Sequence, residues 1–207
     1  MSIHENSWKN KRVFEQQLKL NLTELKGPYP SHWKYFELFI KKIKKQQKIN
    51  NIIDIGCGCG AVAKVLYRID PSINYTGIDY SDEAILIASE QWHYAIFIKK
   101  DYRDLTKEEI AQYDIVNASS LHNILENGDK ALEFILNLNP EILFLEKIIT
   151  TNRPSYVITD RAYDLITTYR FHHNKTSLYN IFAKYNYIYE EYIEQDISHF
   201  LLRKKYV

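Results

Sequence analysis

Three glycines stand two positions apart, Gly56, Gly58 and Gly60, directly after a short apolar run that contains Asp54. A glycine-rich turn between a strand and a helix lets a ligand approach the backbone, because glycine has no Cβ to obstruct it. The dinucleotide-binding spacing G-x-G-x-x-G would require a further glycine where the chain has Ala61. The turn therefore predicts a bound ligand, and its spacing disfavours a dinucleotide.

Acidic and small residues follow the next three predicted strands. Asp79 lies about 20 residues beyond the turn, where a carboxylate can accept hydrogen bonds from the ribose hydroxyls of an adenosine. Asp101 can accept from an adenine amino group while Tyr102 covers the ring, and Ala118 and Ser119 are small enough for the backbone to meet a ligand. Since open α/β sheets bind ligands at the carboxyl ends of their strands, these positions predict one site for an adenosine-bearing cofactor.

Each acidic residue also has an interpretation without a ligand. Asp79 could cap the following helix, Asp101 could be a surface turn residue, and Asp54 could accept hydrogen bonds from backbone amides of the turn. The residues alone leave these alternatives open.

Strands and helices alternate along the chain in a way that would bring these positions together. Helical periodicity falls between five apolar runs that predict strands, at 52–55, 75–78, 95–98, 114–116 and 141–149. The alternation predicts an α/β fold with a doubly wound, mostly parallel sheet. Two amphipathic helices precede it, the periodicity loosens through 163–173, and 187–193 with 197–204 predict an antiparallel pair at the sheet edge.

We predict a single domain over 1–207. Its parts are an N-terminal helical lid (1–50), a cofactor-binding core (51–150), an acceptor-side insertion (151–186) and a terminal β-hairpin (187–207).

The charge and the cysteines exclude several classes of protein. The formal net charge of +1 gives no electrostatic reason to expect nucleic acid. The two cysteines, Cys57 and Cys59, are too close for an ordinary disulfide and too few for a zinc site, so no metal is expected. Free thiols and the absence of a long apolar run predict a cytoplasmic protein without a membrane span.

Four segments resemble the motifs of class I S-adenosylmethionine (SAM)-dependent methyltransferases. The run 52–60, Ile-Ile-Asp-Ile-Gly-Cys-Gly-Cys-Gly, resembles the first motif, and 77–81 resembles the ribose-binding segment. Segments 100–102 and 113–122 resemble the adenine segment and the fourth motif. Cys59 stands where the family more often has threonine or serine, which leaves loop packing as its expected role.

The resemblance implies a Rossmann-like sheet of seven strands with an antiparallel last strand, and SAM as the cofactor. By position, it implies cofactor contacts from Asp54, Gly56, Cys57, Gly58, Gly60, Asp79, Tyr80, Asp101, Tyr102, Ala118 and Ser119.

The acceptor side is predicted from residues near the expected methyl position. His122 follows the fourth strand and is the predicted general base for a hydroxyl acceptor, with helix capping or loop orientation as an even alternative. Further predicted contacts are Tyr29, His32, Trp33, Glu146, Arg153, Arg170 and His172. Aromatic packing, a buried ion pair and a solvated loop are the alternatives for these residues. The arginines and histidines would suit an anionic acceptor.

The expected function is transfer of a methyl group to a small molecule, with oxygen favoured over nitrogen and an anionic or sugar-type metabolite as the acceptor. A methyltransferase of RNA or protein, a nucleotide-binding module without catalysis and an NAD-linked dehydrogenase are the alternatives. Balanced charge weighs against the first, and Ala61 against the last.

Overall fold

The computed structural model describes residues 6–205 of the chain. Residues 1–5 and 206–207, which fall in the predicted N-terminal lid and terminal hairpin, lie outside the described residues. None of the helices in the described part combines the length and the apolarity that crossing a bilayer requires.

Two helices precede the sheet, α1 (Lys11–Glu24) and α2 (Ser31–Lys44). The side chain of Asn10 accepts a hydrogen bond from the backbone N–H of Arg12, which satisfies one of the free donors in the first turn of α1. The α2 helix buries residues that recur at helical spacing, namely Trp33, Phe36, Phe39, Ile40 and Ile43. Both helices were expected from the periodicity of the sequence.

Strands and helices then alternate through the core, as the sequence pattern predicts. The strands are β1 (Asn51–Ile55), β2 (Asn74–Asp79), β3 (Ile96–Lys99), β4 (Ile115–Asn117) and β5 (Ile142–Thr151). The helices between them are α3 (Ala61–Ile69), α4 (Asp82–Gln91), α5 (Lys107–Ile110) and α6 (Gly128–Asn137). Each predicted strand is present, with its ends shifted by one or two residues.

The first five strands form a parallel sheet in the order β3-β2-β1-β4-β5. After helix α7 (Lys175–Lys184), β8 (Tyr187–Glu194) and β9 (Ile197–Lys204) complete it. Strand β9 pairs antiparallel with both β5 and β8 and so lies between them. The predicted mostly parallel sheet with an antiparallel last strand is confirmed, and β8 rather than β9 forms the edge. The predicted number of seven strands is wrong, because two further strands bring the sheet to nine.

The segment whose periodicity loosens is itself regular. Strands β6 (Tyr156–Ala162) and β7 (Ile166–Asn174) form an antiparallel hairpin. The hairpin joins the main sheet where Thr150 and Thr151 of β5 pair with the end of β7. Most side chains of β6 are exposed, so the strand has no buried face. Its sequence therefore lacks the alternation of apolar and polar residues by which a half-buried strand is recognised. The expectation of a loose insertion here is corrected.

The core lies on both faces of the sheet, and β5 contributes to each. On one face Phe144 packs against Phe36 and Phe39 of α2, with ring centroids 5.9 and 5.2 Å apart. On the other, Leu143 and Leu145 belong to an apolar cluster with buried residues of α6 and α7. Burying both faces accounts for the nearly continuous apolar run in β5.

Candidate active site

The glycine turn occupies a backbone conformation and a space that side chains would not tolerate. Gly56, Gly58 and Gly60 all have positive φ, at 75°, 52° and 70°. A Cβ on Gly60 would lie 2.5 Å from the ring of Phe97, and one on Gly58 would lie 2.6 Å from Oε1 of Gln17. The turn is therefore held between β3 and α1 by residues that require glycine.

Cys59 ties the same turn to α1 and to the end of α4. Its backbone N–H donates to Oε1 of Gln17 at 3.0 Å, and its thiol donates to the carbonyl of Phe14 at 3.1 Å. The indole of Trp92 donates to the Cys59 carbonyl at 2.7 Å. The thiol is fully buried, so Cys59 has the packing role expected from the sequence.

Asp54, the residue before the last in β1, is a buried carboxylate with two side-chain partners. Tyr75 donates its hydroxyl to one oxygen at 2.5 Å, and the amide of Asn117 donates to the other at 2.7 Å. Burial raises the pKa of Asp54 to about 6, the two hydrogen bonds lower it, and Asp79 raises it further. The carboxylate thus accepts from neighbouring strands rather than from backbone amides of the turn, the alternative considered above.

Asp79 ends β2 and joins that strand to the turn. Its carboxylate accepts from the backbone N–H of Gly58 at 3.1 Å and of Ser81 at 3.0 Å. Ser81 is the cap residue of α4, so Asp79 also satisfies a donor at the start of that helix. Burial raises its pKa to about 6 even though these bonds favour the ionised form. The backbone N–H of Tyr80 also lowers the pKa of Asp79, so three backbone donors act on a carboxylate that can accept about four hydrogen bonds and keeps capacity for a ligand hydroxyl.

A cavity of about 280 Å³ opens above these residues, at the carboxyl ends of β1, β2, β4 and β5. The predicted residues that line it are Asp54, Gly56, Cys57, Gly58, Asp79, Tyr80, Ser119, His32 and Trp33. Gly60 lies within the turn below, where it shapes the backbone. Cys57 lines the wall as a thiol, because burial raises its pKa well above the ordinary value.

The residues predicted to cover an adenine lie outside this cavity. Asp101 accepts three hydrogen bonds from Arg103, at 2.9 Å from its backbone N–H, 2.9 Å from Nε and 2.6 Å from Nη2. Burial raises the pKa of Asp101, but the bonds from Arg103 outweigh it and hold the pKa below the ordinary value. Tyr102 packs edge-on against Phe134, with centroids 5.7 Å apart, and borders a separate shallow groove. In this arrangement Arg103 holds the carboxylate that the adenine was expected to use.

The loop after β4 contributes through backbone shape. Ala118 is fully buried and its N–H donates to the carbonyl of Phe144 at 3.0 Å, so this donor belongs to the sheet. Ser119 lines the cavity. Ser120 takes a left-handed conformation with φ 61°, and its N–H donates to the carbonyl of Glu146 at 3.1 Å. The loop is thereby fixed to the end of β5.

His122, the predicted general base, lies below the cavity and does not line it. The side chain is fully buried, and neither ring nitrogen has a hydrogen-bond partner in residues 6–205. Burial lowers its pKa well below the ordinary value, and His173, with its ring centroid 5.8 Å away, lowers it further. A base must reach the proton that it removes, and this placement does not allow that. The geometry therefore favours the structural alternative over the base.

Most of the predicted acceptor contacts also lie elsewhere. Glu146 is 1% exposed below the cavity, and the expected lysine or arginine partner is not present among the described residues, so both oxygens are unpartnered. Arg170 forms an ion pair with Asp160 on the exposed hairpin at 2.6 Å. Arg153 is exposed, and His172 stacks on Tyr156 with centroids 4.5 Å apart. Tyr29 packs edge-on against Trp33 and accepts a hydrogen bond from Arg68. These side chains do not line the cavity.

Residues that the sequence did not single out form much of the cavity wall. The polar and aromatic ones include Trp8, Gln17, Glu24, Lys147 and Tyr163. Glu24 and Gln17 lie on α1, whose weak periodicity gave no sign of a binding face. Lys147 directly follows the predicted Glu146, but a bulge in β5 places Lys147 rather than Glu146 on the cavity side. The sequence signal that could have pointed to Lys147 was the pair of adjacent charged residues in the otherwise apolar strand β5.

Trp8 of the N-terminal segment and Tyr163 of the β6–β7 hairpin line one side of the cavity, here called the roof. Tyr163 stands at the tip of the β6–β7 hairpin, with φ 55° in the turn. Its ring packs edge-on against Trp8, with centroids 6.5 Å apart, and the Trp8 indole donates to the hydroxyl of Thr168 at 3.0 Å. The N-terminal segment and the hairpin therefore meet over the opening.

Comparison with known proteins decides the family. Residues 52–140 match a family model described as a methyltransferase domain. This segment is similar to a methyltransferase domain, and the chain has the fold of class I methyltransferases. The prediction of a SAM-dependent methyltransferase is confirmed at the level of family and fold, and SAM is the cofactor of that family. A comparison with curated proteins finds no match.

Solved structures share the fold at low sequence identity. A TehB-like SAM-dependent methyltransferase from Corynebacterium glutamicum has a TM-score of 0.61 and 12% identity, with 95% of this chain and 100% of that chain covered. A SAM-dependent methyltransferase from Clostridium acetobutylicum gives 0.60 and 12%, over 83% and 92%. The N-terminal domain of EvdMO1, solved in the presence of SAH (the demethylated cofactor) and D-fucose, gives 0.61 and 11%, over 86% and 85%.

Proposed function

We propose that this chain transfers the methyl group of SAM to an oxygen atom of a small molecule bound in the cavity under the roof. The observation that supports the proposal is the cavity itself. Its floor carries two buried carboxylates, Asp54 and Asp79, and its roof carries aromatic side chains, all within about 280 Å³. That volume suits a small ligand rather than a polymer.

The floor of the cavity fits the cofactor. Asp79 keeps free lone pairs toward the cavity, where ribose hydroxyls would donate, and Gly56 and Gly58 leave their backbone open to the methionyl part. SAM carries a positive sulfonium and ammonium, and ionised Asp54 and Asp79 would stabilise these charges. Asp101 and Tyr102 would reach an adenine only if the bonds between Asp101 and Arg103 rearranged.

SAM supplies an electrophilic methyl group when it is bound. The protein has to bind and align the acceptor and to exclude water, which the roof residues Trp8 and Tyr163 do by closing the cavity. Proton removal is a small part of this work, because the one histidine that lines the cavity is a weak base. Burial, together with Lys147 and His199, lowers the pKa of His32 to about 3. An acceptor oxygen that is already ionised needs no base.

A macromolecular acceptor is less well supported. RNA binding draws on exposed lysines and arginines around a site, whereas the described lining of this cavity has three carboxylates and one lysine. The roof also leaves less room for a polymer. The sugar-type acceptor considered above stays a candidate, and D-fucose in the EvdMO1 structure is an example in the same fold.

Isothermal titration with SAM and SAH tests the first half of the proposal. We expect micromolar binding of both. Asp79→Asn should weaken it about tenfold or more, since an amide cannot accept with both of its side-chain positions. Asp82→Asn is the matched control, because Asp82 is an exposed carboxylate three residues away, paired with Lys99. The absence of heat with either ligand, or tight binding of NAD instead, would contradict the proposal.

Transfer of labelled methyl from SAM tests the second half. We expect label in small hydroxylated or acidic compounds and none in total RNA or denatured protein. Label in RNA, with retention of the protein on RNA at low salt and release at high salt, would favour the macromolecular alternative.

A further inference from the structure

Lys147 is the one cationic side chain among the described residues that line the cavity. The nearby carboxylate of Glu24 raises the pKa of its ammonium and the guanidinium of Arg170 lowers it, and no carboxylate among the described residues forms an ion pair with Lys147. The side chain is exposed to the open cavity, yet protein surrounds it closely enough that desolvation lowers its pKa. A partly desolvated cation without an ion-pair partner is a binding group for an anion.

Its position in the sheet places it on the acceptor side. Asp79 ends β2, Lys147 follows on β5, and β1 and β4 lie between these two strands. Three inter-strand steps separate them, about 14 Å at the usual strand spacing. The ribose and the methionyl part are expected over β2 and β1. Lys147 therefore lies beyond the expected methyl position and not beside the ribose.

The backbone at Lys147 is held in a conformation that a lysine rarely adopts. Its φ is 61°, and the register between β5 and β9 shifts between Leu145 and Ile148. A bulge of this kind changes the direction of a side chain, and positive φ strains the backbone at a non-glycine residue. Such strain at a binding surface points to a functional role for the side chain.

Two neighbouring side chains fix the bulge. The Lys147 N–H donates to Nδ1 of His199 at 3.3 Å. Asn123 donates its amide to the Lys147 carbonyl and accepts from the N–H of Ile149 at 3.3 Å. Both partners are buried, so the direction of the lysine is set by the core and not by solvent.

The rest of the lining restricts where an anion can bind. Glu24, Asp54 and Asp79 carry or can acquire negative charge, and all three would repel an anionic group. The apolar walls of the cavity come from Trp8, Phe14, Leu20, Trp33, Leu121 and Ile124. The lining therefore suits a molecule with an apolar body and one anionic group, oriented with that group toward Lys147.

We propose that the acceptor is a small acid with an apolar body, and that Lys147 binds its carboxylate or phosphate group. The proposal rests on the proposed function, because it names the acceptor for the same cavity. Under this proposal the group that binds the anion is Lys147 inside the cavity, and not the exposed Arg153 and Arg170 that the sequence suggested. Lys147 would determine specificity and orientation through a charge-assisted hydrogen bond.

Four small probes that share a ring and differ in charge test the assignment: benzoate, phenyl phosphate, benzyl alcohol and benzylamine. Their affinities are measured by ligand-observed NMR titration of the SAH-loaded full chain. We expect the two anions to bind about tenfold or more tightly than the alcohol and the amine. The tighter of the two anions identifies the carboxylate or the phosphate as the preferred group.

Variants of Lys147 separate charge from shape. Lys147→Met keeps the apolar stem and should weaken the anions about tenfold or more, while Lys147→Arg should retain them. Lys147→Gly should also lose the anions, yet keep or raise the melting temperature, because glycine suits a φ of 61°. Lys41→Met is the control, since Lys41 is an exposed lysine on α2 paired with Glu37.

Three outcomes would overturn the proposal. The alcohol or the amine could bind as tightly as the anions, Lys147→Met could leave anion binding unchanged, or Lys147→Met could weaken SAH by the same factor as the anions. In the last case the lysine binds the cofactor carboxylate. If wild-type protein binds neither SAM nor SAH, the proposed function fails. Titration of the same probes into the cofactor-free chain still decides the role of Lys147.

Discussion

The indole Nε1 of Trp8 donates a hydrogen bond to Oγ1 of Thr168 at 3.0 Å and so joins the N-terminal segment to strand β7. Thr168 is 3% exposed, so this bond is protected from water. The two residues meet over the cavity, where Trp8 also packs against Tyr163. The hydrogen bond therefore joins the two parts of the roof, the N-terminal segment and the β6–β7 hairpin.

Removing this bond should loosen the roof. Trp8→Phe keeps an aromatic ring and loses the donor, and we expect cofactor dissociation to accelerate about fivefold, the value for a bond worth about 1 kcal/mol. Stopped-flow displacement of SAH measures the rate. Thr168→Val should give a similar acceleration, and the double variant no more than either. Additive effects in the double variant would show that the two residues act independently.

Cofactor binding should depend on pH between about 5 and 7.5. Burial raises the pKa of Asp54 and of Asp79 to about 6, so both are protonated at pH 5 and ionised at pH 7.5. Only the ionised forms attract the positive groups of SAM, and we expect affinity to fall about tenfold or more toward pH 5. Titration calorimetry across this range measures it. A flat profile in the wild type, or an unchanged slope in Asp79→Asn, would contradict the expectation.

The same two carboxyls set the sign of a stability change in the cofactor-free protein. Their pKa values are higher in the folded chain than the ordinary 3.8, so folding favours the protonated form. Between about pH 4 and pH 6 the unfolded chain is already ionised, and this contribution to stability decreases as the pH rises. Urea unfolding should show the decrease, and a smaller one in Asp79→Asn.

His122 can be replaced without loss of catalysis if it is a core residue. Its buried ring nitrogens have no partner in the described chain, so His122→Leu removes unsatisfied polar atoms. We expect kcat/KM within about threefold of wild type and an unchanged or higher melting temperature. A loss of about 100-fold in kcat, together with loss of the acidic limb of the pH profile, would restore the general-base role.

Gly60→Ala should destabilise the protein through the turn. The new Cβ would lie 2.5 Å from Phe97 and 3.1 Å from Trp92, at a φ of 70°. We expect a loss of about 2–4 kcal/mol and a melting temperature lower by about 5–15 °C. Differential scanning calorimetry measures both. Gly27→Ala is the matched control, because Gly27 also has positive φ but no atom within 4 Å of its Cβ position, so only the conformational cost applies.

The sequence predicted the parts of the molecule that local patterns specify. The apolar runs predicted each strand of the parallel core to within two residues, and the turn with Asp79 predicted the side of the cavity that carries two buried carboxylates. Asp54 and Asp79 could be predicted because they lie at the last two positions of strands in a parallel sheet, and the carboxyl ends of such strands meet at one edge.

The acceptor side depends on contacts that no local pattern reports. Because of a bulge in β5, Lys147 and not Glu146 lines the cavity. The sequence of a single strand does not show where a bulge occurs. Asp101 was predicted to be free for a ligand, but Arg103, two residues later, occupies it. Trp8 lines the cavity where it contacts a hairpin whose Thr168 is 160 positions later in the sequence. Long-range packing decides all three.

The two sides of the roof are anchored very differently. The hairpin continues the sheet, since β7 pairs with Thr150 and Thr151 at the end of β5. The segment before α1 is joined to it through the Trp8 hydrogen bond and ring contact. Exchange of cofactor and product should therefore proceed by local unfolding of the described segment before α1, residues 6–10, with the hairpin stationary. Turnover would then be limited by how often this segment detaches from the hairpin, and an added N-terminal tag would change that frequency without altering the chemistry.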